Sequence, residues 1–335
     1  MLSRLPTSWK VAHHALRSHH QQLSLVTLLV LQVLLPGLPQ QLLSKVSKQT
    51  LPATWRCGRF LFDFSKRQRP LVMGILNATP DSFSDGGKFR TPSDAIAQAE
   101  RMIADGADLI DIGGESTRPG AEPVSLQEEL DRVLPVIEAL KDCGVALSID
   151  TYKAETMRQA LNAGVDCVND IWALRQEGAV AAIIENDQHN PNKQCGLVLM
   201  HMQRDPQTMQ FDPEYQDVIA EVKQFLQERT QLLREKGVAQ NRIAIDPGFG
   251  FGKSLEHNLK MLTDFDQFSQ LAYSLMAGMS RKSMLGKLTG RDTSDRVAPS
   301  VAAAILAADR GARIIRVHDV QETVDSLKLW EAIQE

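Results

Sequence analysis

Several features that would assign this chain to a large protein class are missing. None of its four cysteines (Cys57, Cys143, Cys167 and Cys195) forms a Cys-x-x-Cys pair. In a chain of 335 residues, scattered thiols are typical of a reducing compartment rather than of a disulfide framework. The net charge is −4, and no basic stripe interleaved with aromatic residues is present. A nucleic acid is therefore not expected as a partner.

The first fifty residues contain no Asp or Glu, whereas the rest of the chain is rich in both. The apolar run Leu25–Leu35 is shorter than the roughly 20 residues that a membrane-spanning helix needs. No Ala-x-Ala-like cleavage site follows it, although a targeting segment stays open as an alternative. We expect residues 1–50 to be an extension that is disordered or derives from an upstream translation start. Residues 51–335 are expected to form the functional domain of a cytoplasmic enzyme that does not contact a membrane.

From residue 70 onward, short apolar stretches alternate with amphipathic ones. Eight strands are predicted, at Leu71–Leu76, Leu109–Ile112, Ala146–Ile149, Cys167–Val168, Gly196–Met200, Arg242–Ile245, Ser274–Met279 and Arg313–Val317. Helices are predicted between them at Ser93–Ala104, Leu126–Asp142, Lys153–Asn162, Pro213–Lys236 and Arg296–Asp309. Several helices are followed by a glycine, which favours the left-handed conformation that ends a helix. Repetition of one strand–helix unit predicts a parallel sheet covered by helices.

Nearly every predicted strand ends in polar residues that a buried strand would avoid. They are Asn77, Glu115, Asp150, Asn169, His201, Asp246, Lys282 and His318. In a closed barrel all strand ends meet at one face, where the active site forms, whereas in an open sheet most would not converge. The pattern therefore predicts a single (β/α)₈ TIM barrel. The segment Thr54–Arg69 alternates aromatic and polar residues, which predicts a short hairpin capping the barrel bottom.

Two polar loops carry the most specific patterns. The segment Met73–Gly87 (MGILNATPDSFSDGG) has more turn residues than a short connection requires, which indicates a functional loop. The segment Asp111–Ala121 (DIGGESTRPGA) offers hydroxyl groups and a guanidinium, which suit the binding of an anion.

Together these two loops resemble the signature motifs of the dihydropteroate synthase family. The resemblance continues, one motif per strand, through Ser148–Thr151, Asn169–Ile171, Leu199–Gln203, Asp246–Lys253, Ser280–Ser283 and Arg316–His318. It implies a transferase of folate biosynthesis that joins dihydropterin pyrophosphate to p-aminobenzoate with Mg²⁺ as cofactor. It also implies a homodimer formed through the late helices, here Arg296–Asp309 and Gln321–Ile333. Two positions depart from the family pattern, namely Ala78 and Arg204.

The resemblance assigns the pterin to a deep site. Asp246 would accept two hydrogen bonds from the forked donors of the ring, Asp150 and Asn169 would bind its other edge, and Lys282 would donate to its carbonyl or ring nitrogen. The same resemblance places three apolar or aromatic residues along the ring, namely Ile171, Met200 and Phe251.

The resemblance assigns the remaining groups to positions nearer the barrel mouth. Arg316 and His318 would bind the pyrophosphate, with Thr117 and Arg118 assisting, and Asn77 would be a ligand of Mg²⁺. The expected p-aminobenzoate pocket consists of Phe83, Pro119, Lys282 and Ser283. We hypothesise that Asp85 stabilises a pterin cation as the leaving group departs. His201 is expected to pack beside the pterin ring as structure and to have no catalytic role.

Other functions fit the residues less well. A Walker A loop would need glycine at position 247, where the chain has Pro247. A Schiff-base role for Lys282, as in an aldolase, explains neither Asn77 nor Asp246. Two alternatives stay open: a barrel like the pterin-binding domain of folate-dependent methyltransferases, and a catalytically silent paralogue. The two loop motifs argue against the first, and the presence of all the key polar residues argues against the second.

Overall fold

The structure is a computed structural model that describes residues 51–79, 92–116, 122–205, 208, 209, 211 and 213–334. Five residues with predicted roles in the site lie outside these ranges. They are Phe83, Asp85, Thr117, Arg118 and Pro119.

Eight parallel strands close into a barrel in the order β10-β3-β4-β5-β6-β7-β8-β9. Their bounds are β3 Leu71–Asn77, β4 Leu109–Gly113, β5 Ala146–Asp150, β6 Cys167–Asp170, β7 Gly196–Met200, β8 Ile243–Asp246, β9 Ser274–Ala277 and β10 Ile314–Val317. All eight predicted strands are thus confirmed, as is the TIM barrel. The largest differences are of two residues, at β6, which ends at Asp170 rather than at Val168, and at β9, which ends at Ala277 rather than at Met279.

Helices cover the outside of the barrel. Their bounds are α1 Pro92–Ala104, α2 Leu126–Leu140, α3 Ala154–Ala163, α4 Ala179–His189, α5 Val218–Glu235, α6 Leu255–Thr263, α7 Ser283–Thr289, α8 Val297–Asp309 and α9 Val320–Ala332. Helices α4, α6 and α7 were not among those predicted. The prediction that a helix begins at Pro213 was wrong, because the side chain of Asp217 accepts hydrogen bonds from the N–H groups of Ile219 and Ala220 and so caps α5 at Val218.

A two-stranded hairpin closes the amino-terminal end of the barrel. It consists of β1 (Thr54–Cys57) and β2 (Phe60–Asp63), which pair antiparallel as predicted. Trp55 is fully buried, and its Nε1 donates to the Arg242 carbonyl oxygen at 3.0 Å. The hairpin is also held by Arg59, whose Nη2 lies 2.8 Å from Asp166 Oδ2. The barrel bottom is therefore sealed, which leaves the opposite end for a ligand.

The core has two main parts. One fills the space between the strands and the helices, and the other lies inside the barrel beneath the hairpin, where Trp55 and Cys57 pack with Met73, Leu109 and Val198. Apolar side chains thus occupy the bottom of the barrel interior, whereas charged side chains occupy its carboxyl end. No helix in the described part of the chain is long and apolar enough to cross a membrane.

Candidate active site

Strand register places four of the residues at the carboxyl ends of the strands side by side. Asn77 on β3 pairs with Gly113 on β4, Gly113 pairs with Asp150 on β5, and Asp150 pairs with Asn169 on β6. Successive side chains of a strand point to opposite faces, so residues in register present their side chains to the same face. The row brings together three residues that the sequence assigned separately to the metal and to the pterin.

A network of two carboxylates and one guanidinium forms the floor of the site. Arg316 Nε donates to Asp111 Oδ2 at 2.6 Å, and Arg316 Nη2 donates to Asp150 Oδ2 at 2.6 Å. Asn169 Nδ2 also donates to Asp111 Oδ2, at 2.8 Å. Asp111 is fully buried and had no predicted role in the site. The available signal was a carboxylate in the middle of an otherwise apolar strand, LIDIG.

The floor is not satisfied by its own contacts. Asp111 Oδ1 and Asp150 Oδ1 are buried and have no hydrogen-bond partner among the described residues. Burial raises the pKa of Asp150 to about 7, with Arg316 opposing the rise and Asp111 adding to it. Burial alone would lower the pKa of Arg316, but Asp111 and Asp150 raise it overall. Buried polar atoms are normally paired, so the two open oxygens indicate a ligand that donates hydrogen bonds here.

The sequence predicted that Arg316 and His318 bind an anion together, and the structure adds two carboxylate contacts to Arg316. Its guanidinium is held by Asp111 and Asp150, which neutralise much of its charge. His318 lies beyond it on the same chain segment, where Nδ1 is 3.0 Å from Ser280 Oγ and the backbone N–H donates to the same Oγ at 3.1 Å. The Ser280 hydroxyl can donate its own proton to Nδ1, an arrangement compatible with the tautomer of His318 that carries a proton on Nε2.

The opposite wall carries a carboxylate and an ammonium. Asp246 is buried, and its Oδ1 accepts a hydrogen bond from the Gly248 N–H at 2.7 Å. Lys282 Nζ donates to the Phe249 carbonyl oxygen at 2.5 Å and lies 4.6 Å from the centre of the Phe251 ring. Burial lowers the pKa of Lys282 to about 8, and Asp246 opposes that shift. Burial also raises the pKa of Asp246.

Gly278 marks the space between this wall and the floor. A Cβ built at Gly278 would lie 3.8 Å from Asp246 Oδ2, 3.8 Å from Arg316 Cβ and 4.0 Å from Lys282 Nζ. The three groups thus surround one small volume at the carboxyl end of β9. A flat polar ligand in this volume would meet the carboxylate of Asp246, the ammonium of Lys282 and the first carbon of the Arg316 side chain.

The glycine-rich turn after β8 packs closely against the chain that follows β7. A Cβ at Gly248 would overlap the backbone oxygen of His201, and one at Gly252 would lie 2.8 Å from Gln203 Cβ. Both glycines also have positive φ angles, of 74° and 62°. Close approach of the chain after β7 therefore requires at least these two glycines.

His201 faces away from the polar floor. Its ring packs edge-on against Phe225 at 4.9 Å, and its Nδ1 accepts from Lys253 Nζ at 2.9 Å. Burial, with the Lys253 charge, lowers the pKa of His201 to about 2, so its ring is neutral. Lys253 Nζ also donates to the Gly248 and Phe251 carbonyl oxygens, at 3.0 Å and 2.9 Å. These contacts agree with the structural role expected for His201.

The apolar residues assigned to the pterin lie together. Ile171 and Met200 are buried in one cluster with Met202, and the partly buried Phe251 ring packs against it. Ser283, by contrast, is exposed at the first position of α7, next to the half-buried Lys282. The apolar cluster thus lies beside the wall, since Met200 on β7 pairs with Asp246 on β8, and the space between these groups and the floor is called the slot below.

Arg204, one of the two departures from the family pattern, adopts a left-handed backbone conformation with φ of 61°. Its Nη1 donates to the Phe211 carbonyl oxygen at 2.6 Å. Glycine adopts this conformation without steric cost, which explains physically why it would suit this position. The side-chain contact offsets part of the strain in this chain.

The site also contains oxygen atoms of the kind that bind a metal ion. They contain no group of three or more His, Cys, Asp or Glu side chains that would hold a metal ion by itself. Asn77 Oδ1 lies 3.9 Å, and Asp150 Oδ2 3.8 Å, from a Cβ built at Gly113, so oxygen atoms of both face the same small space. Amide and carboxylate oxygens suit Mg²⁺, which commonly takes one or two protein ligands together with phosphate oxygens and water. The residues present therefore fit a magnesium ion that arrives with a phosphate-bearing substrate.

Comparison with known proteins gives a consistent result. The family model described as "Pterin binding enzyme" matches residues 73–318. The dihydropteroate synthase of Haemophilus influenzae is 46% identical over 266 residues, which cover 78% of this chain and 94% of that protein.

Solved structures of the same enzyme are equally similar. The enzyme of Burkholderia cenocepacia in complex with 7,8-dihydropteroate is 51% identical, with a TM-score of 0.75 over 85% of this chain and 98% of that one. The enzyme of Xanthomonas albilineans with 4-aminobenzoic acid is 47% identical, with a TM-score of 0.77 over 85% and 99%. The enzyme of Yersinia pestis with a sulfonamide drug is 45% identical, with a TM-score of 0.78 over 84% and 99%.

Proposed function

The chain belongs to the family of pterin-binding enzymes, and from this premise we infer that it catalyses the dihydropteroate synthase reaction. In that reaction the amine of p-aminobenzoate displaces pyrophosphate from the exocyclic methylene of 6-hydroxymethyl-7,8-dihydropterin pyrophosphate. A C–N bond forms, a C–O bond breaks, and the amine loses one proton. The observation that carries the proposal is the volume at Gly278, enclosed by Asp246, Lys282 and Arg316.

The pterin occupies the slot between floor and wall. Its amino group and adjacent ring N–H donate to Asp246, and its other edge meets Asp150 and Asn169, where buried carboxylate oxygens have no partner within the described ranges. Lys282 donates to the ring carbonyl or nitrogen. A site of this kind discriminates strongly, because an analogue without the matching donors leaves buried carboxylates unpaired. Ile171, Met200 and Phe251 cover the ring, which keeps water from its face.

The pyrophosphate lies toward the mouth of the barrel, where His318 Nε2–H and the guanidinium of Arg316 donate to it. Two carboxylates already hold the Arg316 guanidinium, so its position and orientation are fixed before the substrate binds. Such preorganised donors stabilise charge on the leaving group without reorganisation during the reaction. Thr117 and Arg118 assist from the second loop in this proposal.

Magnesium is the cofactor in this proposal, and Asn77 would hold it together with the pyrophosphate-bearing substrate. The ion supplies neutralisation of charge on the departing pyrophosphate. Asn77 stands at the end of β3 in register with the row that holds Asp150 and Asn169, so it presents its amide to the same face as the pterin groups.

The p-aminobenzoate pocket lies above the pterin. Lys282 and the exposed Ser283 border it at the start of α7, and Phe83 and Pro119 contribute from the two loops. Asp85 stabilises the positive charge that the pterin ring acquires as pyrophosphate leaves. Sulfonamides that mimic p-aminobenzoate compete for this pocket, so excess p-aminobenzoate should relieve their inhibition.

The outer face of α8 is the surface through which the chain pairs as a homodimer. Ala298, Ala302 and Leu306 are exposed at intervals of four residues, and so share one face of the helix. Leu288 on α7 and Leu329 on α9 are exposed on the helices next to α8 in the chain. A wild-type dimer that Ala302→Glu converts to a monomer, measured by sedimentation, would support this surface. A monomeric wild type would refute it.

Free thiols support the expected cytoplasmic location. Cys57, Cys167 and Cys195 are buried and free, and Cys143 is partly buried and also free. Such cysteines are typical of a reducing compartment. The catalytic domain in this proposal is residues 51–335, and residues 1–50 take no part in the chemistry.

The test is turnover by the full-length chain with dihydropterin pyrophosphate and Mg²⁺, with and without p-aminobenzoate. We expect stoichiometric dihydropteroate and pyrophosphate, and loss of activity when Mg²⁺ is chelated. The same assay on residues 51–335 should give an equal rate if the extension is dispensable. Pterin binding without turnover would refute the synthase and favour a binding barrel. Absence of pterin binding would refute the assigned slot.

A further inference from the structure

The turn between β9 and α7 contains a strained residue that has no role in the reaction described so far. Arg281 has a φ of 58°, in the left-handed region that residues with a Cβ rarely adopt. It lies third in a four-residue turn, because the Lys282 N–H donates to the Met279 carbonyl oxygen at 3.1 Å. Strain of this kind persists only where the surroundings over-determine the conformation.

Three separate contacts fix the conformation of Arg281. Its Nε and Nη2 donate to the two carboxylate oxygens of Asp319, at 3.1 Å and 2.5 Å. Its backbone N–H donates to Ser300 Oγ at 2.9 Å, and its carbonyl oxygen accepts from Arg296 Nη1 at 3.0 Å. Backbone and side chain of one residue are thus fixed by α8 and by the segment that follows β10.

The neighbours of this strained residue are groups of the proposed site. Ser280 precedes Arg281 and contacts His318, the residue before Asp319. Lys282 follows Arg281 and reaches the Phe249 carbonyl oxygen and the Phe251 ring. Two consecutive cross-links, Ser280–His318 and Arg281–Asp319, therefore join the ends of β9 and β10 directly beneath the mouth.

We propose that Arg281 and Asp319 are positioning residues, whose bidentate ion pair holds the β9–α7 turn so that Lys282 and His318 keep their places around the two substrates. This role rests on the proposed function. Bidentate geometry fixes both distance and orientation, so a single hydrogen bond would not replace it. Misplacement of reacting groups by about 1 Å is enough to reduce turnover by up to about a hundredfold.

The test compares wild type with Asp319→Asn and Arg281→Gly. Asp319→Asn removes one acceptor of the fork and keeps the arginine, whereas Arg281→Gly accepts the positive φ without strain and removes the clamp. Asp187→Asn is a control, because Asp187 also accepts two hydrogen bonds from one guanidinium, from Nη1 and Nη2 of buried Arg242 at 2.5 Å and 2.9 Å. Arg242 precedes β8, at the opposite end of that strand from Asp246. The readout is kcat per binding-competent site, with sites counted by calorimetric titration of 6-hydroxymethyl-7,8-dihydropterin.

We expect Asp319→Asn and Arg281→Gly to lower kcat per competent site by about tenfold to a hundredfold, with Asp187→Asn within about twofold of wild type. A structural role alone would lower the number of competent sites and leave kcat per site unchanged, and that result would overturn the proposal. If Asp319→Asn does not fold, Arg281→Gly decides by the same criterion. An inactive wild type would refute the proposed function and the positioning role together, whereas an active wild type with unchanged variants would refute the positioning role alone.

Discussion

Replacing Gly278 with alanine should weaken ligand binding and leave the barrel intact. The added Cβ would lie 3.8 Å from Asp246 Oδ2, 3.8 Å from Arg316 Cβ and 4.0 Å from Lys282 Nζ. These are ordinary contact distances, so the ligand-free barrel accommodates the methyl group without moving a neighbour. Gly278 does not have a positive φ, so alanine should stabilise the fold by about 0.4–1 kcal/mol through the lower entropy of the unfolded chain.

The same methyl group occupies the volume that the pterin ring needs in the proposed function. Adding a methyl group to a close-packed site typically costs about 1–3 kcal/mol. That cost corresponds to an increase of about 5- to 150-fold in Kd. The variant should therefore unfold at a temperature no lower than wild type while it binds 7,8-dihydropteroate more weakly.

The assay is calorimetric titration with 7,8-dihydropteroate, together with thermal unfolding of the same samples. Gly144→Ala is the control with the opposite pattern, because its Cβ would meet nothing within 4 Å but its φ is 86°. It should lose about 1–2 kcal/mol of stability and keep the wild-type Kd. A Gly278→Ala variant with wild-type affinity would show that the ligand does not use this volume, and the assignment of the slot would be wrong.

Four further results follow from the same contacts. Asp246→Asn should raise the Kd for 7,8-dihydropteroate by about 10- to 150-fold, because a hydrogen bond to a charged group contributes about 1.5–3 kcal/mol; a change below about twofold would contradict its role. Asn77→Ala should raise the Mg²⁺ concentration needed for half-maximal turnover and leave the affinity for a pterin without pyrophosphate unchanged, and equal metal dependence would remove Asn77 from the metal shell. Burial lowers the pKa of Lys282 to about 8, so kcat/KM should fall on the alkaline side with a midpoint near that value; Lys282→Arg, which stays charged, should lack this limb. Burial raises the pKa of Asp170 to about 7. The free energy of unfolding that this shift contributes is fully present below the unfolded pKa of about 4 and is lost as the pH rises to about 7. Thermal unfolding temperatures should therefore fall between about pH 4 and pH 7, and less steeply in Asp170→Asn; parallel curves would exclude Asp170 as a source of the slope.

The sequence was sufficient to predict the barrel, because its strands follow from local patterns of apolar and polar residues. Each strand is a short apolar run, and a polar residue follows where the run meets the open face, as at Asn77 and Asp246. Those patterns depend on neighbours in the chain, so all eight strands were found. The glycines after helices were informative for the same reason: Gly164, with a φ of 115°, donates to the Ala160 and Leu161 carbonyl oxygens and ends α3.

Some local boundaries failed where a side chain competed with the periodicity. The amphipathic pattern extends back to Pro213, but the carboxylate of Asp217 satisfies backbone N–H groups and begins α5 at Val218. Residues 117–121 and 80–91 lie outside the described ranges, so the roles assigned to Asp85 and Arg118 stay predictions.

Only the tertiary structure determines the ion pairs and the pKa values of the site. Arg316 and Asp111 are 205 residues apart in the chain, and only closure of the barrel places the guanidinium 2.6 Å from that carboxylate. The pKa of Asp150, raised to about 7, likewise depends on burial and on charges from other strands. The sequence by itself determined the eight strands and most of the polar side chains that follow them, because both follow from short-range pattern. Which of those groups pair, and which keep an open oxygen for a ligand, depends on distances between remote parts of the chain, and these exist only in the folded barrel.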